Sequence, residues 1–112
     1  MTDNKYLTLI GKIAEKTQQG RIAWRLTEKD LTASIPGKLD LSFVRNPSHF
    51  QGLTREWALF TMREPRGKEI FQISGSRPAV NPVIEALDRL YRMIVAGFSR
   101  EVEEATQIID SI

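Results

Sequence analysis

LTASIPGKLDLSF, residues 31–43, contains the clearest secondary-structure pattern of the chain. Apolar residues alternate with polar or small ones on both sides of Pro36-Gly37, and a period of two is typical of half-buried β-strands. Pro presets φ for the second position of a type II turn, and Gly tolerates the positive φ of the third position. The stretch therefore predicts an antiparallel hairpin with its turn at Pro36-Gly37.

Strand patterns continue on both sides of this hairpin. Before it, three alternate positions are occupied by apolar residues, Ile22, Trp24 and Leu26. After it, residues 56–63 and 68–74 form two further apolar-rich runs. The run 56–63 is apolar on both faces, a pattern typical of a strand that is covered on both sides. Residues 21–75 are therefore predicted to form an antiparallel sheet of about five strands in meander order.

Helical periodicity frames the predicted sheet. Residues 1–20 show an apolar stripe at spacings of three and four, ending at a glycine that suits a helix stop. Residues 80–112 show a second stripe, which begins at Asn81-Pro82, a favourable cap and first helical position. Two arrangements stay open for this segment: one helix to the end, or a helix pair divided at Gly97 and capped by Ser99.

These patterns predict a single α+β domain over residues 1–112, with an N-terminal helix, the meander sheet, and a C-terminal helix or helix pair packed on it. A length of 112 residues with 41% hydrophobic content fits one domain with a modest core. The chain has no cysteine, no signal-peptide pattern and no apolar run long enough to cross a bilayer. A cytoplasmic location without membrane insertion is the expectation.

Candidate catalytic chemistry is sparse. Without cysteine the chain has neither a thiolate metal ligand nor a cysteine nucleophile. His49 is the only histidine and lies in a predicted loop, and the carboxylates are scattered rather than paired. No phosphate-binding loop or dinucleotide fingerprint is present. We therefore expect no catalytic, cofactor-binding or metal-binding residue, and an enzyme with an unfamiliar site near His49 is the least favoured alternative.

The second helical stripe runs to the last residue through Phe98, Val102, Ala105, Ile109 and Ile112. One helix over this segment would be about 45 Å long, whereas the expected radius of gyration of the domain is about 13 Å. The end of the stripe would then face water, and burial against a second copy or another protein would remove it from water. The sequence therefore predicts a non-enzymatic protein–protein interaction module, self-associating as a homodimer, with these five residues as the candidate association stripe.

Charge distribution supports a second hypothesis. Residues 1–80 contain 13 Lys/Arg and 8 Asp/Glu, a net of +5, whereas residues 81–112 contain 3 and 6, a net of −3. Phosphate binding requires several cations gathered on one face. The alternative is therefore a nucleic-acid-binding module that uses the basic sheet half, with four candidate contacts, Arg21, Arg25, Arg45 and Arg63. Trp24 and Trp57 are suited to base stacking, but we expect both in the core instead.

Residues 16–24, KTQQGRIAW, resemble the K-T-x-x-G-x-I-x-W opening of small uncharacterised bacterial and phage-borne α+β proteins. The match covers nine of 112 residues, and beyond it the resemblance extends to the order of a helix followed by strands. It implies an accessory role in a bacterial or mobile-element context. It implies no activity and assigns no functional residue.

Overall fold

A five-stranded antiparallel sheet follows one helix and precedes another. The computed structural model describes residues 2–46, 56–75 and 81–112. Its elements are α1 (Thr2–Gln18), β1 (Trp24–Leu26), β2 (Asp30–Ile35), β3 (Leu39–Arg45), β4 (Trp57–Arg63), β5 (Glu69–Ser74) and α2 (Pro82–Asp110). Neighbouring strands pair in the order β1-β2-β3-β4-β5. The predicted α+β meander is confirmed.

The hairpin of β2 and β3 forms where residues 31–43 predict it. Its core-facing pairs are Leu31 with Phe43 and Ala33 with Leu41, and all four residues are buried. The backbone N–H of Lys38 donates to the carbonyl of Ile35 at 2.9 Å, and Gly37 has a φ of 73°. A positive φ at the third position is what a type II turn requires of this glycine. The turn therefore fixes which face of each strand enters the core.

Helix α1 ends in a Schellman motif. The N–H of Arg21 donates to the carbonyl of Lys16 at 2.9 Å, and the N–H of Gly20 donates to the carbonyl of Thr17 at 3.0 Å. Gly20 adopts the left-handed φ of 74° that this motif needs. Residues 21–23 connect the helix to the sheet, and strand pairing begins at Trp24. Ile22, within this connection, is already buried. β1 is therefore shorter than the predicted strand.

Both helices pack on one face of the sheet. Tyr6 of α1 stacks on Phe71 of β5 with ring centroids 4.5 Å apart, and Tyr91 of α2 meets Phe43 of β3 at 5.3 Å. Phe43 is fully buried and also contacts the rings of Trp24, Trp57 and Phe60. Trp57 is buried and Trp24 is half-buried against this cluster. The core thus forms between the helices and one sheet face.

A register shift explains why β4 is apolar at adjacent positions. Trp57 and Phe60 both reach Phe43, although residues three apart in a regular strand point to opposite faces. The β3–β4 register shifts at Val44/Arg45, so that Ala58 has no register partner on β3. A bulge of this kind re-aims a side chain, and here it brings Trp57 to the core face. Among the described elements, α1 and α2 pack on one face, and Thr61 on the opposite face is buried as well, so the expectation that β4 is covered on both sides stays a prediction.

Helix α2 settles the choice between one helix and two. It runs without interruption from Pro82 to Asp110, through Gly97, and at about 1.5 Å per residue its 29 residues span about 43 Å. The side chain of Asn81 accepts a hydrogen bond from the N–H of Ile84 at 2.9 Å, which confirms the predicted cap. The radius of gyration is 15.0 Å, above the roughly 13 Å expected for a compact chain of this length.

Candidate interaction surface

The apolar face of α2 has a covered part and an uncovered part. Val83, Ile84, Leu87, Leu90, Tyr91, Ile94 and Val95 are buried against the core. Because successive residues turn by about 100°, positions 98, 102, 105, 109 and 112 continue the same face. We call these five residues, Phe98, Val102, Ala105, Ile109 and Ile112, the tail stripe. They form one apolar surface with the part that the core buries.

The tail stripe lies beyond the end of the core. Phe98 is half-buried, and every residue from 100 to 112 is exposed. The exposed fractions are 55% for Val102, 67% for Ile109 and 97% for Ile112. Ile108 widens the stripe and is 63% exposed. Sequence reasoning missed Ile108, although its position four residues before Ile112 places it on the same side of the helix.

A groove lies where α2 leaves the core. It has a volume of about 730 Å³ and runs between the end of α1, the start of β1 and the middle of α2, where Met93, Gly97 and Phe98 line it. Its opposite wall is fixed by a hydrogen bond of 3.0 Å from Trp24 Nε1 to Thr17 Oγ1. The groove therefore adjoins the first residue of the tail stripe. No sequence pattern identified it, because its walls come from three separate elements.

Charges are distributed unevenly along the exposed part of α2. Arg100 is followed by three acidic residues, Glu101, Glu103 and Glu104, and Asp110 is the remaining charge before the end. The segment 105–109 between them, ATQII, is uncharged. The polar residues lie mostly off the stripe, apart from Glu101, which also lines the groove. The exposed part of α2 thus carries an apolar stripe, and acidic residues flank the first half of this stripe.

The four arginines of the nucleic-acid alternative do not form one patch. Arg45 is buried, with its Nε donating to Tyr91 Oη at 2.9 Å. Arg63 is exposed, and the residues opposite it in the strand register are the acidic Asp40 and Glu69. Arg21 and Arg25 are exposed near β1, at the far edge of the sheet from β5. The structure therefore exposes three of the four at separate elements and buries the fourth.

The described residues offer neither a metal cluster nor a membrane-spanning helix. Residues 2–46, 56–75 and 81–112 contain no cluster of three histidine, cysteine or acidic side chains able to hold a metal ion. Over the same residues, neither helix combines the length and apolar character that crossing a bilayer needs. His49, the centre of the enzyme alternative, lies outside the described residues.

The comparisons with known proteins identify no relative of this chain. No family model, no curated protein and no solved structure matches it.

Proposed function

We propose that this chain is a non-enzymatic protein–protein interaction module that self-associates through the tail stripe. The observation that supports the proposal is the continuity of one apolar face of α2 from the buried core into water. The cytoplasm is the compartment that suits a chain without cysteine, since it has no disulfide to form.

The first support is the free energy of the exposed side chains. Fully burying one valine or isoleucine side chain contributes about 1.5–3 kcal/mol. Val102, Ile108, Ile109 and Ile112 are each more than half exposed. Their burial at an interface would therefore contribute several kcal/mol for each copy, which is large against the usual 5–15 kcal/mol stability of a domain.

The second support is the helical state of the tail itself. Most helical stability in proteins comes from packing an apolar face rather than from helix propensity. Residues 100–110 are helical and exposed throughout, without a packing partner among the described residues of their own chain. A partner on the tail stripe would supply the missing packing.

The third support concerns charge. Residues 99–112 contain one arginine and four acidic residues, a net charge of −3. Such a segment repels phosphate, and the four candidate arginines do not share one face, since Arg45 is buried. These placements favour a protein partner over nucleic acid as the occupant of the tail stripe.

The proposal is tested by polar substitutions in and beside the stripe. Val102→Asn together with Ile109→Asn removes two exposed aliphatic side chains without changing net charge. The matched control, Thr106→Asn together with Gln107→Asn, introduces the same residue type off the stripe at neighbouring positions of the helix. Light scattering coupled to gel filtration should show a dimer for the native chain and the control, and a monomer for the stripe variant.

Two results would contradict self-association. One is a native chain that stays monomeric at high protein concentration. The other is a stripe variant that dimerises as strongly as the control, which would place the interface elsewhere on the molecule.

A further inference from the structure

We infer that the partner is a second copy docked antiparallel, with its twofold axis at Ala105 and its Ile112 at the mouth of the groove. The inference rests on the proposed self-association and adds the direction, the register and the role of the groove. Three observations support it: the spacing of the stripe, the charge pattern, and the area that a stable dimer requires.

The spacing of the tail stripe is nearly symmetric about Ala105. In an antiparallel pair centred there, Phe98 of one copy faces Ile112 of the other, and Val102 faces Ile109. Ala105, the smallest member, then lies at the axis and permits a close approach of the two helices. A surface that complements itself in this way is what an isologous twofold interface requires.

The charge pattern fits the same register. The acidic segment 101–104 of one copy lies beside the uncharged segment 106–109 of the other, and Arg100 lies level with the partner's Asp110. A parallel in-register pair would instead place both acidic segments side by side. Like charges at such short range destabilise a helix pair. The antiparallel direction is therefore favoured.

The area that a stable dimer must bury indicates that the groove belongs to the interface. The 15 residues from 98 to 112 form a strip about 22 Å long and roughly 10 Å wide. Even if the relief of the side chains doubles its area, that strip is much smaller than the surface of about 800 Å² that each partner buries in a standard stable interface. Additional surface must come from beyond the two tails. At this register the end of the partner's tail meets the groove of about 730 Å³.

Side-chain positions agree with that docking. Met93, Gly97 and Glu101 line the groove on one side of α2, and Ile108 and Ile112 lie on the same side about two to five turns later. In an antiparallel pair, equivalent sides of the two helices face each other. The partner's Ile108 and Ile112 therefore approach the side of α2 on which the groove opens. This accounts for an exposed isoleucine at position 108, outside the stripe.

Cysteine cross-linking tests the direction, because the native chain contains no cysteine. Ala105→Cys should form a disulfide dimer under mild oxidation. Val102→Cys alone should not, since its two copies would be offset by about 9 Å along the helices, beyond the roughly 7 Å limit between the Cα atoms of a disulfide. A mixture of Val102→Cys and Ile109→Cys chains should form the mixed disulfide. Gln107→Cys, on the opposite side of the helix, is the matched negative control.

The groove is tested separately by filling it. A Cβ built on Gly97 meets nothing within 4 Å, and Gly97 lines the groove, so the larger side chain of Gly97→Leu should occupy the groove mouth. Gly11 of α1 has the same open surroundings, which makes Gly11→Leu the matched control. Gly97→Leu should raise the dimer dissociation constant by about tenfold, the effect of losing one well-buried contact, and Gly11→Leu should leave it unchanged.

The outcomes separate the inference from the proposed function. A dimer in which Val102→Cys cross-links as readily as Ala105→Cys is parallel, which overturns this inference and leaves self-association standing. A dimer without an Ala105→Cys cross-link overturns the register in the same way. Equal dissociation constants for the two leucine variants would show that the groove is not part of the interface. A monomeric native chain overturns the inference and the proposed function together.

Discussion

Arg45 shows how a charged residue serves the core rather than the surface. Its Nε donates to Tyr91 Oη at 2.9 Å and its Nη1 donates to the carbonyl of Thr27 at 2.8 Å. Burying a guanidinium is costly unless such hydrogen bonds replace its water. The residue thereby ties β3 to α2 and to the turn before β2.

Removing one of these hydrogen bonds should destabilise the fold. Tyr91→Phe deletes the acceptor for Arg45 Nε, and we expect a loss of about 1.5–3 kcal/mol in the free energy of unfolding, the usual worth of a hydrogen bond to a charged group. Tyr6→Phe is the matched control, because that change leaves the ring available to stack on Phe71. Urea denaturation measures both, and equal stability of the two variants would show that the Arg45–Tyr91 bond contributes nothing.

The burial of Arg45 could not be predicted from the sequence. Its parity with Leu41 and Phe43 places it on the core face, but a buried arginine requires an acceptor, and Tyr91 is 46 residues away. Sequence alone gives no distance between such residues. Arg45 was for this reason among the candidate phosphate contacts, and its burial removes it from that set.

At the scale of elements, local signals predicted the turns and the helix ends well. Gly20, Gly37 and Asn81 lie where local backbone chemistry requires them, and such signals need no knowledge of the rest of the chain. Gly97 is the exception. A glycine inside a helix costs only about 1 kcal/mol relative to alanine, so the packing of the surrounding residues decides whether the helix continues. The sequence alone therefore does not decide between one continuous helix and a helix pair divided at Gly97.

One glycine inside α1 and one just beyond its end give a test at this scale. Gly11 lies inside the helix with open space around it, so Gly11→Ala should stabilise the fold by up to about 1 kcal/mol. Gly20 has a φ of 74°, where a Cβ costs about 1–2 kcal/mol, so Gly20→Ala should destabilise by that amount. Thermal and urea denaturation should shift in opposite directions for the two variants. A shift in the same direction would contradict the assigned helix end.

The bulge in β4 marks the limit of pattern reasoning for strands. Strict alternation assigns Trp57 to the face opposite Phe60, and apolar residues on both faces then indicate a sheet covered on both sides. One register shift places both rings against Phe43 instead. The shift depends on pairing with β3, so the sequence of β4 alone does not reveal it.

At the scale of the whole molecule, the meander was predictable because each strand pairs with its neighbour in sequence. The candidate site was predictable only in part. The tail stripe follows from helix periodicity, but its exposure depends on where the core ends, and the groove depends on the relative placement of α1, β1 and α2. The principal extents of 54 × 33 × 23 Å describe an elongated molecule. The apolar face of α2 is longer than the sheet and the helix α1 on which it packs.

Sedimentation equilibrium of the full 112-residue chain tests self-association most directly. The tail stripe predicts a concentration-dependent species of twice the 12.8 kDa chain mass. The Val102→Asn and Ile109→Asn double variant should sediment as a single chain under the same conditions. A native chain that sediments at 12.8 kDa over the whole range from micromolar to millimolar protein would contradict the account.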